Sequence, residues 1–268
     1  MHLKRWITGL IALPILIFLV YTGGIAFALL VSAATLLALW EYNRIVLDST
    51  LAGVSGLIAG WGYVLGVAIV WAAHWMGPEL ILSLIAINLL VVALMSMFYF
   101  KADAAVLSVI VHQVQGTIYI PVMLSFLILI RAGDSGMSWI FLLMAIVFAG
   151  DTSAYYVGSF WGRYKLSPAI SPGKTIEGSA GGLAANLAVG AFGKALFFPG
   201  LPWAASILFF LAVGAAGQIG DLFESEMKRS SGIKDSGNIL PGHGGILDRV
   251  DALLFASPVA YVFIRFIF

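Results

Sequence analysis

The chain has 268 residues, 61% of them hydrophobic and 10% charged, with a mean hydropathy of +1.03. Soluble domains carry about 25% charged residues, so these proportions exclude an ordinary soluble enzyme and predict an all-α, polytopic membrane protein. Cysteine is absent, which excludes disulfides, thiolate metal sites and cysteine nucleophiles, and a net charge of +1 offers no basic field to nucleic acid.

A helix needs about 20 apolar residues to cross a bilayer. On that scale nine spans are read, at roughly 6–20, 24–39, 51–71, 80–100, 106–130, 138–157, 175–197, 203–223 and 246–267. The start of the first span, followed by Ala26-Phe27-Ala28, resembles a signal peptide with a small-residue cleavage site. Its apolar run continues past that site, so the span is expected to stay in the protein. The fifth span is interrupted by His112, Gln113 and Gln115, read as an interhelical hydrogen-bond cluster, and the seventh by Asn186. Glycines 178, 182 and 190 of the seventh span have the spacing of close helix packing. No internal repeat or low-complexity tract is visible, so the chain reads as a single membrane domain over 1–268.

Charge is distributed unevenly. Residues 1–133 carry nine charges and read as scaffold; residues 134–268 carry eighteen, ten of them between Asp221 and Asp251, and read as the working part. With the N-terminus in the cytoplasm, nine spans place eleven lysines and arginines inside and only Arg131, Lys194 and Arg265 outside, the bias of the positive-inside rule. The polar stretches 158–174 and 224–245 then face the cytoplasm as loops, and a bacterial-type inner membrane is the expected location.

Three polar clusters meet the membrane at similar depth. Asp151 and Tyr155 share a face of the sixth span. Gln218, Asp221, Glu224, Ser225 and Lys228 form one stripe on the eighth. Asp248 and Asp251 share the first turns of the ninth, next to Arg249. Ionisable groups inside spans mark function or pair with one another; pairing with Lys228, Arg229 and Arg249 is the plainer alternative. Ser171-Pro172-Gly173-Lys174 reads as a capped helix start, where free N–H groups and Lys174 suit a phosphate. It is no Walker A loop, because Pro168 stands where the first glycine is needed. The histidines (2, 74, 112, 243) lack zinc-ligand spacing. His243, between glycines, is read either as a phosphate contact or as a turn cap.

The segments GDTSAYYVGSFWGR (150–163), SPGKTIEGSAGG (171–182), Ser225-Glu226-Met227-Lys228-Arg229, Lys234-Asp235-Ser236-Gly237, Pro241-Gly242-His243-Gly244-Gly245 and Asp248-Arg249-Val250-Asp251 together resemble the signature of phosphatidate cytidylyltransferases, the CDP-diacylglycerol synthases. The likeness is dense over about 100 residues and thins to hints such as Trp40-Glu41-Tyr42; Ile176 departs from a commonly aromatic position. It implies that CTP and phosphatidate give CDP-diacylglycerol and pyrophosphate with Mg2+, at a site facing the cytoplasm. Asp221, Asp248, Lys228 and Arg229 are then the catalytic candidates. Asp221 and Asp248 are taken as metal ligands, with Asp251 and Glu224 available to a second cation. Substrate contacts are assigned to Lys174, Ser171, Glu177, Lys234, Asp235, His243, Gly244, Arg249, Asp151 and Tyr155, and a homodimer is left open.

Three rival readings compete with this one. A related enzyme could act on another lipid phosphate or an isoprenoid alcohol, as CDP-archaeol synthases or polyprenol kinases do. An ion-coupled transporter also needs intramembrane carboxylates, but its site belongs at the bilayer midplane between repeats. The Asp-Gly-x-x-Ala-Arg motif of transferases that consume CDP-lipids is missing.

Overall fold

The computed structural model describes residues 2–46, 52–100, 106–237, 239 and 244–268. His243 and Asp103 lie outside the described residues. Among the described residues, seven helices are long and apolar enough to cross a membrane: Gly24–Val46, Ser55–Trp75, Pro78–Tyr99, Val106–Ala132, Gly136–Trp161, Ile176–Phe197 and Trp203–Ser230. The chain is an integral membrane protein. The helices at either end, His2–Thr22 and Leu247–Phe266, coincide with the first and ninth expected spans without meeting that measure.

The contacts divide into two compact units, residues 1–132 with 235–247 and residues 133–234 with 248–268. The first contains α1 (His2–Thr22), α2 (Gly24–Val46), α3 (Ala52–Trp75), α4 (Pro78–Tyr99), α5 (Val106–Thr117) and α6 (Met123–Ala132). A π-helical segment at Ile118–Val122, which contains Pro121, joins α5 to α6 without breaking the rod. Proline lacks the N–H that an α-helix needs there, and one wider turn absorbs the loss.

Several polar side chains in this unit bond across helices, as an apolar surround favours. Trp61 Nε1 donates to Asn88 Oδ1 at 2.9 Å. Asn88 and Gln113 exchange amide hydrogen bonds at 3.2 and 3.1 Å, and Gln113 also donates to Thr117 at 3.0 Å. The Tyr42 hydroxyl lies 2.9 Å from the His112 carbonyl and 3.2 Å from Gln115 Oε1. Gln113 and Gln115 therefore bond between helices as expected, whereas His112 contributes its backbone carbonyl and its buried Nδ1 has no partner among the described residues. At the junction of α1 and α2, Gly23 has a left-handed φ of 63°. Arg131 fills the space beside it and donates to the carbonyls of Val20 (2.8 Å) and Tyr21 (2.9 Å). A cation thus caps the free C-terminal carbonyls of α1.

The second unit contains α7 (Gly136–Trp161), a two-stranded antiparallel ribbon of β1 (Lys165–Ser167) and β2 (Ser171–Thr175), α8 (Ile176–Phe197), α9 (Trp203–Ser230) and all but the first residue of α10 (Leu247–Phe266). Its helices approach closely because glycines line the contacts. Asn186 of α8, 1% exposed, lies against Gly150 of α7 and Gly214 of α9, where a Cβ would collide with its amide. Gly178 and Gly182 meet α7 at Ala154 and Gly150, and Gly220 of α9 meets Asp251 and Phe255 of α10. The membrane end far from the ribbon is closed by aromatic rings, with Trp139 stacked on Phe198 at 4.0 Å.

Two expectations are corrected here. The capped helix start expected at Ser171-Pro172 is strand β2; α8 begins at Ile176, capped by Thr175, whose Oγ1 accepts the Gly178 N–H at 3.1 Å. The loop expected over 224–245 begins later, because α9 continues through Ser230, its last turns joined by the Glu224–Lys228 pair at i,i+4.

Gly214→Val is expected to destabilise this unit by about 2 kcal/mol through overpacking against Asn186. Gly200→Ala, where an added Cβ meets nothing, serves as the control. Thermal unfolding of the detergent-solubilised variants decides; equal midpoints would remove the packing role given to Gly214.

Candidate active site

The ribbon, the end of α7 and the start of α8 enclose a cavity of about 460 Å³ with the flank of α9. Asp151 and Tyr155, one turn apart on α7, both line it; so do Ser171 and Lys174 of β2 and Asp221 of α9. Residues of three elements, α7, β2 and α9, therefore line one cavity. Lys174 Nζ lies 2.6 Å from Asp221 Oδ2, with both side chains partly exposed.

Membrane-ward of this pair, Gln218 of α9 and Ser179 of α8 clasp each other. The Ser179 hydroxyl donates to Gln218 Oε1, and Gln218 Nε2 donates back to the Ser179 carbonyl at 3.0 Å. Ser179 was not among the expected contacts, although it lies on the glycine-rich face of α8. Gln218 was visible as a member of the α9 stripe.

Two turns beyond Asp221 on α9, Lys228 serves two carboxylates. Its Nζ is 2.6 Å from Asp248 Oδ1 and is also paired with Glu224. Glu224 is 1% exposed, and its Oε1 has no hydrogen-bond partner among the described residues. Asp251 Oδ1 accepts the Ala252 N–H at 2.8 Å. Asp251 lies close enough to Asp221, Asp151 and Lys228 to feel their charges, as Asp151 does those of Lys174 and Arg249. Five carboxylates (Asp151, Asp221, Glu224, Asp248, Asp251) thus share three cations (Lys174, Lys228, Arg249). The plainer alternative, charges paired to lock helices, accounts for the Lys228 pairs and leaves carboxylates in surplus.

That surplus, with an orphaned buried carboxylate oxygen, has the donor chemistry of a hard divalent cation. Among the described residues no three acidic or histidine side chains yet converge on one point.

The remaining expected residues are placed differently. Glu177 accepts the backbone N–H groups of Arg163 (3.1 Å) and Tyr164 (3.2 Å), so its visible work is to fasten the chain after α7 to the start of α8. Arg229 donates to the carbonyls of Ile170 (3.3 Å) and Ile233 (3.0 Å), bracing the ribbon turn. Lys234, Asp235 and Arg249 are exposed, and none of them lines the cavity. Gly244 adopts φ 81° just before α10.

A profile of the cytidylyltransferase family matches residues 3–267. This chain belongs to the cytidylyltransferase family. Family membership makes it a nucleotidyl-transferring enzyme. Among its relatives, the phosphatidate cytidylyltransferase of Bacillus subtilis is 34% identical, the alignment covering 96% of each chain. That of Staphylococcus aureus is 35% identical over 95% of this chain and 96% of its own, and that of Staphylococcus saprophyticus 32% identical over the same shares.

The shared ammonium has a testable energetic consequence. Lys228→Met removes the ammonium that Glu224 and Asp248 share, so it should destabilise the fold by about 3 kcal/mol. Adding Glu224→Gln to that variant should recover part of the loss. Thermal unfolding of the single and double variants checks this, and a single variant as stable as the native protein would show that the pairs are worth nothing to folding.

Proposed function

We propose that this protein transfers the cytidylyl group of CTP to phosphatidate, releasing pyrophosphate and leaving CDP-diacylglycerol in the membrane. The observation that carries this reading is the cavity in which Lys174 and Asp221 meet, two helical turns from Lys228 along α9, in a chain whose close relatives bear that name. A lipid phosphate oxygen attacks the α-phosphorus of CTP; the new P–O bond forms as the bond to the β-phosphate oxygen breaks, and pyrophosphate carries away the electron pair. The lipid phosphate is already anionic near neutrality, so no dedicated general base is required. The barrier is the approach of two anions and the charge on the leaving group, which fixed cations offset.

Lys174 is the residue that would meet phosphate in the cavity, released from Asp221 as the substrate takes its place. Lys228 would do the same at Glu224 and Asp248, while Arg229 braces the ribbon and Lys234 lies on the exposed chain beyond α9. Asp221 and Asp248 would hold Mg2+, with Asp251 and Glu224 available to it or to a second cation. When bound, the ion would neutralise phosphate charge and orient the triphosphate. Asp151 and Tyr155 shape the cavity wall. We place the site on the cytoplasmic side of a bacterial inner membrane, with the N-terminus inside and nine spans, because the positive-inside count favours it.

The direct test is purified protein with labelled CTP, phosphatidate and Mg2+, followed by extraction of label into organic solvent. Label should become extractable with CTP or dCTP and not with UTP, and excess EDTA should abolish it; undiminished turnover in EDTA removes the metal from the reading.

Lys174→Ala should fold, because the Asp221 carboxylate it leaves behind remains partly exposed, and should chiefly raise the Michaelis constant for CTP. A native constant in well-folded protein would show that β2 does not cradle the triphosphate.

Asp221→Asn and Asp248→Asn should each lower turnover by orders of magnitude, and the double variant should be scarcely worse than either, since residues acting as a unit are non-additive. Glu79, exposed in the first turn of α4 where a short loop was expected, supplies the control Glu79→Gln. Full specific activity in folded Asp248→Asn protein would end the assignment.

A further inference from the structure

Glu41 belongs to α2, in the part of the chain read as scaffold, and is wholly buried at 0% exposure. A carboxylate so placed is costly unless donors surround it, and three do. Its Oε1 accepts the Ile246 N–H at 3.1 Å. Its Oε2 accepts the Leu247 N–H at 2.8 Å and the Ser236 hydroxyl at 3.0 Å. Gly237 and Gly245 press so closely that a Cβ on either would strike the carboxylate. The five residues belong to the same compact unit.

These partners decide what the carboxylate does. Gly237 and Gly245, the residues pressed against the carboxylate, have no side chain of their own with which to anchor the backbone there. Ile246 and Leu247 present N–H groups at the start of α10, where a helix has no backbone acceptors of its own. An anion there also suits the helix dipole. Asp248 is the next residue along the chain. We propose that Glu41 is a positioning residue for the reaction: by holding the backbone at Ile246 and Leu247, it sets where α10 begins and how Asp248 is presented. This rests on the reading of Asp248 as a metal-binding carboxylate given above. The isosteric amide cannot replace Glu41, because an –NH2 group would face a backbone N–H.

The test measures Mn2+ binding to full-length protein by electron paramagnetic resonance without substrates, together with thermal unfolding and turnover. Folded Glu41→Gln should bind Mn2+ and turn over about tenfold or more weakly than native, the usual cost of losing an outer-shell support. Ser236→Ala, which spares both backbone bonds, should do less harm. Should Glu41→Gln fail to fold, Gly237→Ala supplies the reading, since it keeps the carboxylate but crowds it; it should likewise weaken Mn2+ binding in folded protein. The proposal falls if Mn2+ affinity and specific activity per folded molecule stay native in Glu41→Gln, or in Gly237→Ala where that variant is the one read. It also falls if Glu41→Gln is impaired while Asp248→Asn binds Mn2+ normally, because Glu41 would then act through something else. Normal Mn2+ binding and turnover in Asp248→Asn overturn the metal reading itself. A defective Asp248→Asn beside a native Glu41→Gln overturns only the role of Glu41.

Discussion

A single ammonium group, that of Lys228, lies between the carboxylates of Glu224 and Asp248, and much of the second unit can be understood from the need to keep it there. Water would screen these charges cheaply; the interior of a helical bundle does not, and a pair in low dielectric is favourable only with good geometry and further hydrogen bonds. Glu224 and Lys228 are set by the pitch of α9, one turn apart. Asp248 must come from another helix, so α10 has to lie close against α9. Gly220 allows that approach, by leaving room for the backbone of Asp251.

The same economy of small residues brings the cavity wall together. Gly178 and Gly182 let α8 lie against α7 at Ala154 and Gly150, so Asp151 and Tyr155 open onto the space that β2 covers. The ribbon is fixed at its base, where Tyr164 O accepts the Ile176 N–H at 2.9 Å and Glu177 gathers the N–H groups of Arg163 and Tyr164. Lys174 is thereby delivered to Asp221 by a ribbon hydrogen-bonded at its base. Electrostatics and packing are one problem here: the contacts that exclude lipid also determine which charges meet.

Much of this was legible in the sequence because membrane burial makes polar residues conspicuous. Asp151 and Tyr155, the α9 stripe and the charge-dense second half stood out against an apolar background, and their spacing was enough to put each set on one helix face. The β-ribbon was not legible: three- and five-residue strands carry too little periodicity, and Ser171-Pro172 imitates a helix start whose real cap is Thr175. The end of α9 was placed too early because charge was taken as the end of the helix, whereas Glu224 and Lys228 extend it. Glu41 could have been noticed as a lone carboxylate in an apolar run. Its partners could not, since they lie about two hundred residues away and two of them are backbone N–H groups, on which side-chain identity is silent. Glu177 was readable as a charge near a helix start, but not as the fastening of a preceding loop.

The clasp of Arg131 on the carbonyls of Val20 and Tyr21 bears on the order in which the protein can be assembled. The N-terminal helix leaves the ribosome more than a hundred residues ahead of the side chain that finishes its C-terminal end. During synthesis those carbonyls must be solvated at the membrane surface, and the bend at Gly23 is closed only when the end of α6 arrives. Completion of the first helical hairpin is therefore a late event in biogenesis, and truncation before residue 131 would leave that corner unsealed although every residue of the hairpin had been made.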